Sequence, residues 1–263
     1  MFDASAFTGV WAFRSYPERT LKDVVASLEA EGFRGACISP VEAVLAPEPM
    51  TANRALFAEV AALRSAPAPA GLPFLIVLAP VIDPSLPGWE EDLQACLAEG
   101  GDAVRAVKIV PNYHAYALDA PFVDRLAEAV AAAGLTLCIQ ARMEDERSRH
   151  PLMTSEGVPP AAIAALAARH PGLNLLVCGA YMLELPTYKN VPNLHVEMSM
   201  VESGRVLRDA FSHVGHERLL VGTHAPLLMP AVGAVKPEAD DVAPEVREAL
   251  TEGNFRRLFF RMA

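Results

Sequence analysis

An α/β fold, specifically a parallel (β/α)8 TIM barrel, is predicted on three observations. Short β-branched runs alternate with Ala/Leu-rich helical runs along the chain, the pattern of parallel strands joined by crossover helices. Eight such strand runs occur. The length, 263 residues, also suits one barrel of this kind.

The strands are expected at residues 1–7, 35–39, 73–79, 104–110, 136–141, 174–178, 194–199 and 219–222. Helical patterns lie between them at 21–31, 53–64, 90–98, 122–133 and 160–169, with two more at 203–214 and 244–260. Pro121 and Pro159-Pro160 mark helix starts, where a missing N–H costs little. Gly32, Gly100-Gly101 and Gly134 mark helix ends. The segment 181–191 is short and contains Pro186, so the sixth helix is expected to be irregular. Residues 66–71 and 232–241 read as small proline-bearing loops rather than linkers. With no fixed-period repeat and no low-complexity tract, residues 1–263 are read as a single domain.

Composition excludes some classes of function. Hydrophobic residues make up 52% of the chain, enough for a sizeable core, yet no apolar run is long enough to span a membrane. The net charge of −10 argues against nucleic acid, which needs clustered Lys and Arg. The N-terminus lacks a basic segment followed by an apolar one, so a cytoplasmic location is expected. Cys37, Cys96, Cys138 and Cys178 are far apart in sequence and read as buried free thiols. A small-molecule substrate is the expected partner, and a homodimer is the base-rate expectation for assembly.

In barrels of this type chemistry gathers at the C-terminal ends of the strands. Lys108 lies near the end of an otherwise apolar strand, where its charge is costly unless paired. Asn112, Tyr113 and His114 follow on the next loop. Strand five ends in Gln140, followed by Arg142, whose planar fork suits a carboxylate. Behind it, Asp145 is placed to orient Arg147 or His150. By alternation His195, Glu197 and Ser199 share a face of strand seven, and Glu202 follows. His195, at that strand's start, reads as structural, as do His170, His213 and His216 at helix ends. After strand eight, Gly222-Thr223-His224-Ala225-Pro226 offers an imidazole suited to act as a base near neutral pH.

The opening Phe2-Asp3-Ala4-Ser5-Ala6-Phe7-Thr8-Gly9, the Val107-Lys108 pair, the Gly222–Pro226 run and the ending Gly253-Asn254-Phe255-Arg256-Arg257-Leu258-Phe259 resemble the amidohydrolase-related family (amidohydrolase 2 type). The resemblance runs over nearly the whole chain and implies a TIM-barrel hydrolase. It also implies a metal-gripping His-x-His pair where Ser5 and Phe7 stand, and a metal-binding histidine at Gln140. A further histidine is implied at Cys178 or Gly179, and a metal-binding, proton-shuttling aspartate at His224. All of these positions are changed, which marks a divergent branch lacking the standard metal ligands.

The leading expectation is an amidohydrolase-like hydrolase for a small, anionic substrate, working without the usual binuclear metal site. His224 or His114 is the candidate acid/base, with Asp145 as orienting partner or second carboxylate. Lys108, Asn112, Tyr113, Gln140, Arg142, Arg147 and Glu202 are the candidate substrate contacts. Hydrolysis of an ester, lactone or amide comes first, then decarboxylation or hydration. No metal ligand and no cofactor are assigned. Two alternatives stand beside this. One is a single Zn or Mn held by His114, His224 and Asp145 or Glu202, serving hydrolysis or decarboxylation. The other is a catalytically silent barrel that binds a ligand or a protein partner.

Overall fold

Eight parallel strands form the ring in the computed structural model, which describes residues 1–65, 73–147, 149–152 and 155–260. They are β1 (Asp3–Thr8), β2 (Gly35–Pro40), β3 (Leu75–Leu78), β4 (Ala106–Ile109), β5 (Thr136–Gln140), β6 (Leu175–Cys178), β7 (Leu194–Glu197) and β8 (Leu219–Leu220). Hydrogen-bonded ladders run β1-β2-β3 and β4-β5-β6-β7-β8. Single bridges join the two ladders, Leu78 to Val104 and Val81 to Lys108. On the other side the Ala4 N–H donates to the Val221 carbonyl at 2.9 Å, and the His224 N–H donates to the Ser5 carbonyl at 2.8 Å. The ring is therefore closed, and no strand edge is left to pair with another chain.

The helices are α1 (Leu21–Ala30), α2 (Pro49–Ser65), α3 (Trp89–Gly100), α4 (Pro121–Ala132), α5 (Pro160–Arg169), α6 (Val206–Phe211), α7 (Pro230–Val235), α8 (Pro244–Glu248) and α9 (Asn254–Phe260). Proline opens α4, α5, α7 and α8, where its fixed φ suits a first turn. The crossover after β6 is a 3-10 run, Met182–Tyr188, with Pro186 inside it, as the irregular sixth helix anticipates.

Three expectations need correction. The helix expected over 203–214 is only α6, because Ser203 and Gly204 form a turn in which the Ser203 hydroxyl accepts from the Arg205 N–H at 3.1 Å. The loop expected over 232–241 instead holds the end of α7 and a 3-10 turn, Lys236–Glu238. The single helix expected over 244–260 is broken by a π-turn at Ala249–Gly253. Beyond it the Asn254 carboxamide donates to the carbonyls of His216 at 2.7 Å and Leu219 at 2.6 Å, pinning α9 to the foot of β8. The loop expected at 66–71 lies outside the described residues.

Strand alternation sorts the core into layers. Outward residues such as Val107, Ile109, Leu137 and Ile139 pack against the helices. Inward ones include the small or sulfur-bearing Ala4, Cys37, Ala106, Cys138 and Cys178 beside Val77, Leu176 and Leu220, closed from below by Phe255 and Phe259 of α9. All four cysteines are buried and free. At the C-terminal end a separate apolar cluster gathers Phe7, Trp11, Val81, Val110, Met143 and Leu227. No described helix is long and apolar enough to cross a membrane.

Candidate active site

On β4, Val107 and Ile109 face the helices, whereas Ala106 and Lys108 face into the barrel. Lys108 is 1% exposed. Its Nζ donates to Gln140 Oε1 at 2.9 Å and to Ser5 Oγ at 3.3 Å, and lies 4.2 Å from the centre of the Phe7 ring. Gln140 is oriented by its own Nε2, which donates to the Arg142 carbonyl at 2.8 Å. No carboxylate pairs with Lys108 among the described residues; its partners are a hydroxyl, a carboxamide and an aromatic face.

Beside this group stands His224, fully buried at φ +58. Its Nε2 lies 2.8 Å from the Met143 carbonyl, an acceptor, so Nε2 carries the proton and donates. Nδ1 is then a lone pair, and it has no hydrogen-bond partner among the described residues. The ring packs edge-on to Phe7 at 5.0 Å. Burial, reinforced by the nearby charge of Lys108, holds the His224 pKa down at about 3. The imidazole is neutral at any ordinary pH.

Two buried carboxylates frame the same end. Asp3 accepts from the N–H groups of Ser5 at 3.0 Å and Thr223 at 2.9 Å, and from the Thr223 hydroxyl at 2.5 Å. Burial pushes it up to about 7 against those three bonds. Glu197 accepts from the N–H groups of Gly179 at 2.5 Å and Ser199 at 2.6 Å, and from the Ser199 hydroxyl at 2.8 Å. A Cβ at Gly222 would lie 2.0 Å from Glu197 Oε2, which explains the glycine there. Both carboxylates are committed to backbone and hydroxyl donors: Asp3 ties β1 to the end of β8, and Glu197 ties the end of β7 to that of β6.

A strap of irregular chain, residues 10–19, covers the mouth. Gly9, at φ +102, starts it where any Cβ would collide with the Glu42 carboxylate. That carboxylate takes the Val10 N–H at 2.6 Å. Trp11 meets Tyr113 at 6.0 Å, Phe13 meets His150 at 5.9 Å, and the Tyr16 hydroxyl donates to the Leu227 carbonyl at 3.3 Å. Arg14 reaches Glu144 at 3.6 Å. Glu144 is buried, with no hydrogen-bond partner for either oxygen among the described residues.

Of the expected site residues, Lys108, Gln140 and His224 share one buried cluster with Ser5 and Phe7. The others do not enter it. His114 sits between neighbouring loops, Nδ1 at 3.6 Å from Asp83 and Nε2 at 3.4 Å from the Ala43 carbonyl, its pKa lowered by burial against the pull of Asp83. Asn112 donates to the Glu156 carbonyl at 2.9 Å. Tyr113 packs under Trp11, its hydroxyl pKa pushed up by burial. Arg142 is engaged by Glu184 (Nη1 to Oε2 at 3.0 Å), by the Gly179 carbonyl and by the face of Tyr181 at 4.0 Å. At the rim Arg147 links Asp145 at 2.6 Å to Glu202 at 2.8 Å. Asp145 therefore orients Arg147, and the ligand set His114, His224 with Asp145 or Glu202 is not brought together. A cavity of about 350 Å³ lies off the barrel axis, bounded by Asn112, Tyr116, Val158 and Arg169.

Glu184, the partner that takes up Arg142, and the strap aromatics were missed from sequence. Three aromatics within the eight residues after β1, Trp11, Phe13 and Tyr16, are a usable signal for the strap. Glu184 offered none, since nothing in Leu183-Glu184-Leu185 points to an arginine 42 positions earlier.

A family model described as amidohydrolase, of the amidohydrolase-2 type, matches residues 42–261. The chain belongs to the amidohydrolase-2 family. Solved structures agree on the fold. The 5-carboxyvanillate decarboxylase of Sphingomonas paucimobilis superposes with a TM-score of 0.74 at 15% identity, covering 100% of this chain and 99% of that one. The 2,6-dihydroxybenzoate decarboxylase of Rhizobium gives 0.71 at 16% identity, covering 99% and 98%. A dihydroxybenzoic acid decarboxylase from Polaromonas, with bound manganese and the inhibitor 2-nitroresorcinol, gives 0.72 at 17% identity, covering 100% and 97%. At these identities the likeness establishes the fold, a TIM barrel. No functionally curated protein matches the sequence.

Proposed function

We propose that this amidohydrolase-2 member is an enzyme that binds a small carboxylate at the strand ends, the anion pairing with Lys108. One observation carries the reading: a buried ammonium whose partners among the described residues are all neutral. The neutral partners offset the cost of moving this charge out of water but bring no opposite charge, which an arriving anion supplies. Nearby, the His224 Nδ1 lone pair has no partner and suits a hydroxyl or N–H of the same ligand. Cation and acceptor flank one aromatic ring, Phe7. This arrangement supports a flat, hydroxylated carboxylate, the class to which 2,6-dihydroxybenzoate belongs.

The likeness to decarboxylases favours loss of carbon dioxide over hydrolysis as the reaction. In that step the bond from carbon to the carboxylate breaks, its electron pair stays on carbon, and a water that enters with the substrate gives the proton that takes the vacated place, its hydroxide combining with the released carbon dioxide as bicarbonate. Lys108 stabilises the negative charge that develops, and His224 fixes the ligand's orientation through its lone pair. The strap has to lift for a substrate to enter, since Lys108, Gln140 and His224 are all buried beneath it.

The residues present do not fit a divalent metal. Among the described residues no three His, Cys, Asp or Glu side chains are grouped to hold one. His224 has turned its proton-bearing nitrogen to a carbonyl, and Ser5 and Gln140 serve an ammonium. No step is therefore routed through a metal.

A turnover panel tests the proposal. Hydroxybenzoates and small esters are offered to chelator-treated protein, and to its Lys108→Met variant. Carbon dioxide release that persists after chelation and falls at least ~100-fold in the variant is expected, the scale of losing one oxyanion-stabilising group. Activity that survives Lys108→Met would overturn it. The complete burial of this cluster favours a second reading, a catalytically silent ligand-binding barrel. Saturable carboxylate binding without turnover would identify that case.

A further inference from the structure

We propose that the Lys108 ammonium is the resident cation of this barrel, standing in for the divalent metal of the family. The inference rests on which positions surround the ammonium and not on the substrate argued above, so each can fail without the other. The family resemblance assigns metal ligands to the positions of Ser5, Phe7, Gln140, Cys178 or Gly179, and His224. In this structure three of those positions, Ser5, Phe7 and Gln140, meet at one atom. Lys108 Nζ donates to Ser5 Oγ and Gln140 Oε1 and lies over the Phe7 ring. Cys178 and His224 both feel its charge: burial raises the Cys178 pKa while Lys108 opposes, and burial lowers that of His224 while Lys108 adds to it.

The chemistry of each replacement points the same way. A divalent metal of this class needs imidazole, thiolate or carboxylate lone pairs. An ammonium needs neutral oxygen acceptors and is attracted to an aromatic face. Hydroxyl, phenyl ring and carboxamide at positions 5, 7 and 140 are poorer metal ligands and better hosts for an ammonium. The aspartate-to-histidine change follows from charge. A single positive charge needs less compensation than a double one, and His224 supplies none, being neutral with its proton directed to Met143. Lys108 reaches this focus from β4, a strand to which the resemblance assigns no ligand, so its four-carbon stem brings in a tethered charge where the family binds a free one.

Amine rescue is the experiment. Lys108→Ala empties the space of the stem and ammonium, and methylammonium or ethylammonium chloride is titrated during thermal unfolding, with sodium chloride at equal ionic strength as control. A saturable rise in melting temperature of several degrees is expected for Lys108→Ala, from linkage of binding to folding. Lys108→Met, which fills the space without charge, is expected not to respond. Equal responses of the two variants would overturn the proposal. If Lys108→Ala does not fold, the wild-type protein decides. Incubated with excess manganese or zinc and then gel-filtered, it is expected to keep no stoichiometric metal and an unchanged melting temperature. One tightly held equivalent would overturn the proposal.

Discussion

Lys108 and His224 show how two residues of ordinary chemistry are set by their surroundings. Desolvating the ammonium costs several kcal/mol. Two hydrogen bonds to neutral oxygens return about 1.5–3 kcal/mol each, and the Phe7 face adds about 2. These terms nearly cancel, so Lys108 contributes little net stability, as suits a group kept for its charge. His224 has the larger pH signature. Its folded pKa, about 3, lies below the unfolded value of about 6.5. Above the unfolded value its contribution is fully present. As pH falls through that value the unfolded chain gains a proton here and the folded one does not, so stability is lost down to the folded pKa. Asp3, raised to about 7, acts in the opposite sense: its contribution is present in acid and lost as pH rises through that value. The two offset each other in wild type, and a comparison isolates His224. Relative to His224→Gln, wild type is expected to lose about 1.4 kcal/mol per pH unit between about pH 6 and about pH 4. Urea unfolding at several pH values reads this directly. Parallel pH profiles for the two proteins would contradict a buried, neutral His224.

At the scale of elements, the loops that carry the expected residues have already paired most of them. Arg142, after β5, is held by Glu184 from the 3-10 crossover after β6, with side chains 7% and 15% exposed. Glu184→Ala leaves a buried guanidinium without its carboxylate, and a loss of about 3–5 kcal/mol in unfolding free energy is expected. A loss below about 1 kcal/mol, the size of a surface pair, would show that Arg142 is free to serve substrate. Lys108 was legible in the sequence because a lysine inside an apolar strand calls for an explanation. His224 was legible because it follows the last strand end. His114 looked equivalent, yet the turn after β4 carries it to Asp83, and residue type alone cannot reveal where a loop side chain points. Glu184 was invisible for the same reason, its role existing only once β5 and β6 are adjacent.

For the molecule as a whole, the eight-fold alternation was legible because helix and strand periods differ. On β4 the alternation of Lys108 with Val107 and Ile109 decides which side chains face inward. Closure of the mouth was not legible. It depends on Trp11, Phe13 and Tyr16 meeting loops that follow β4, β5 and β8, contacts with no local trace. The result is a family barrel whose strand-end positions surround an intrinsic ammonium beneath a strap. Calorimetric titration of 2,6-dihydroxybenzoate into chelator-treated wild type and into Lys108→Met tests this most directly. The account predicts saturable binding to wild type that the chelator leaves unchanged, weakened at least ~10-fold in the variant, about 1.4 kcal/mol. Equal affinity in the two proteins, or binding to wild type only after manganese is restored, would contradict it.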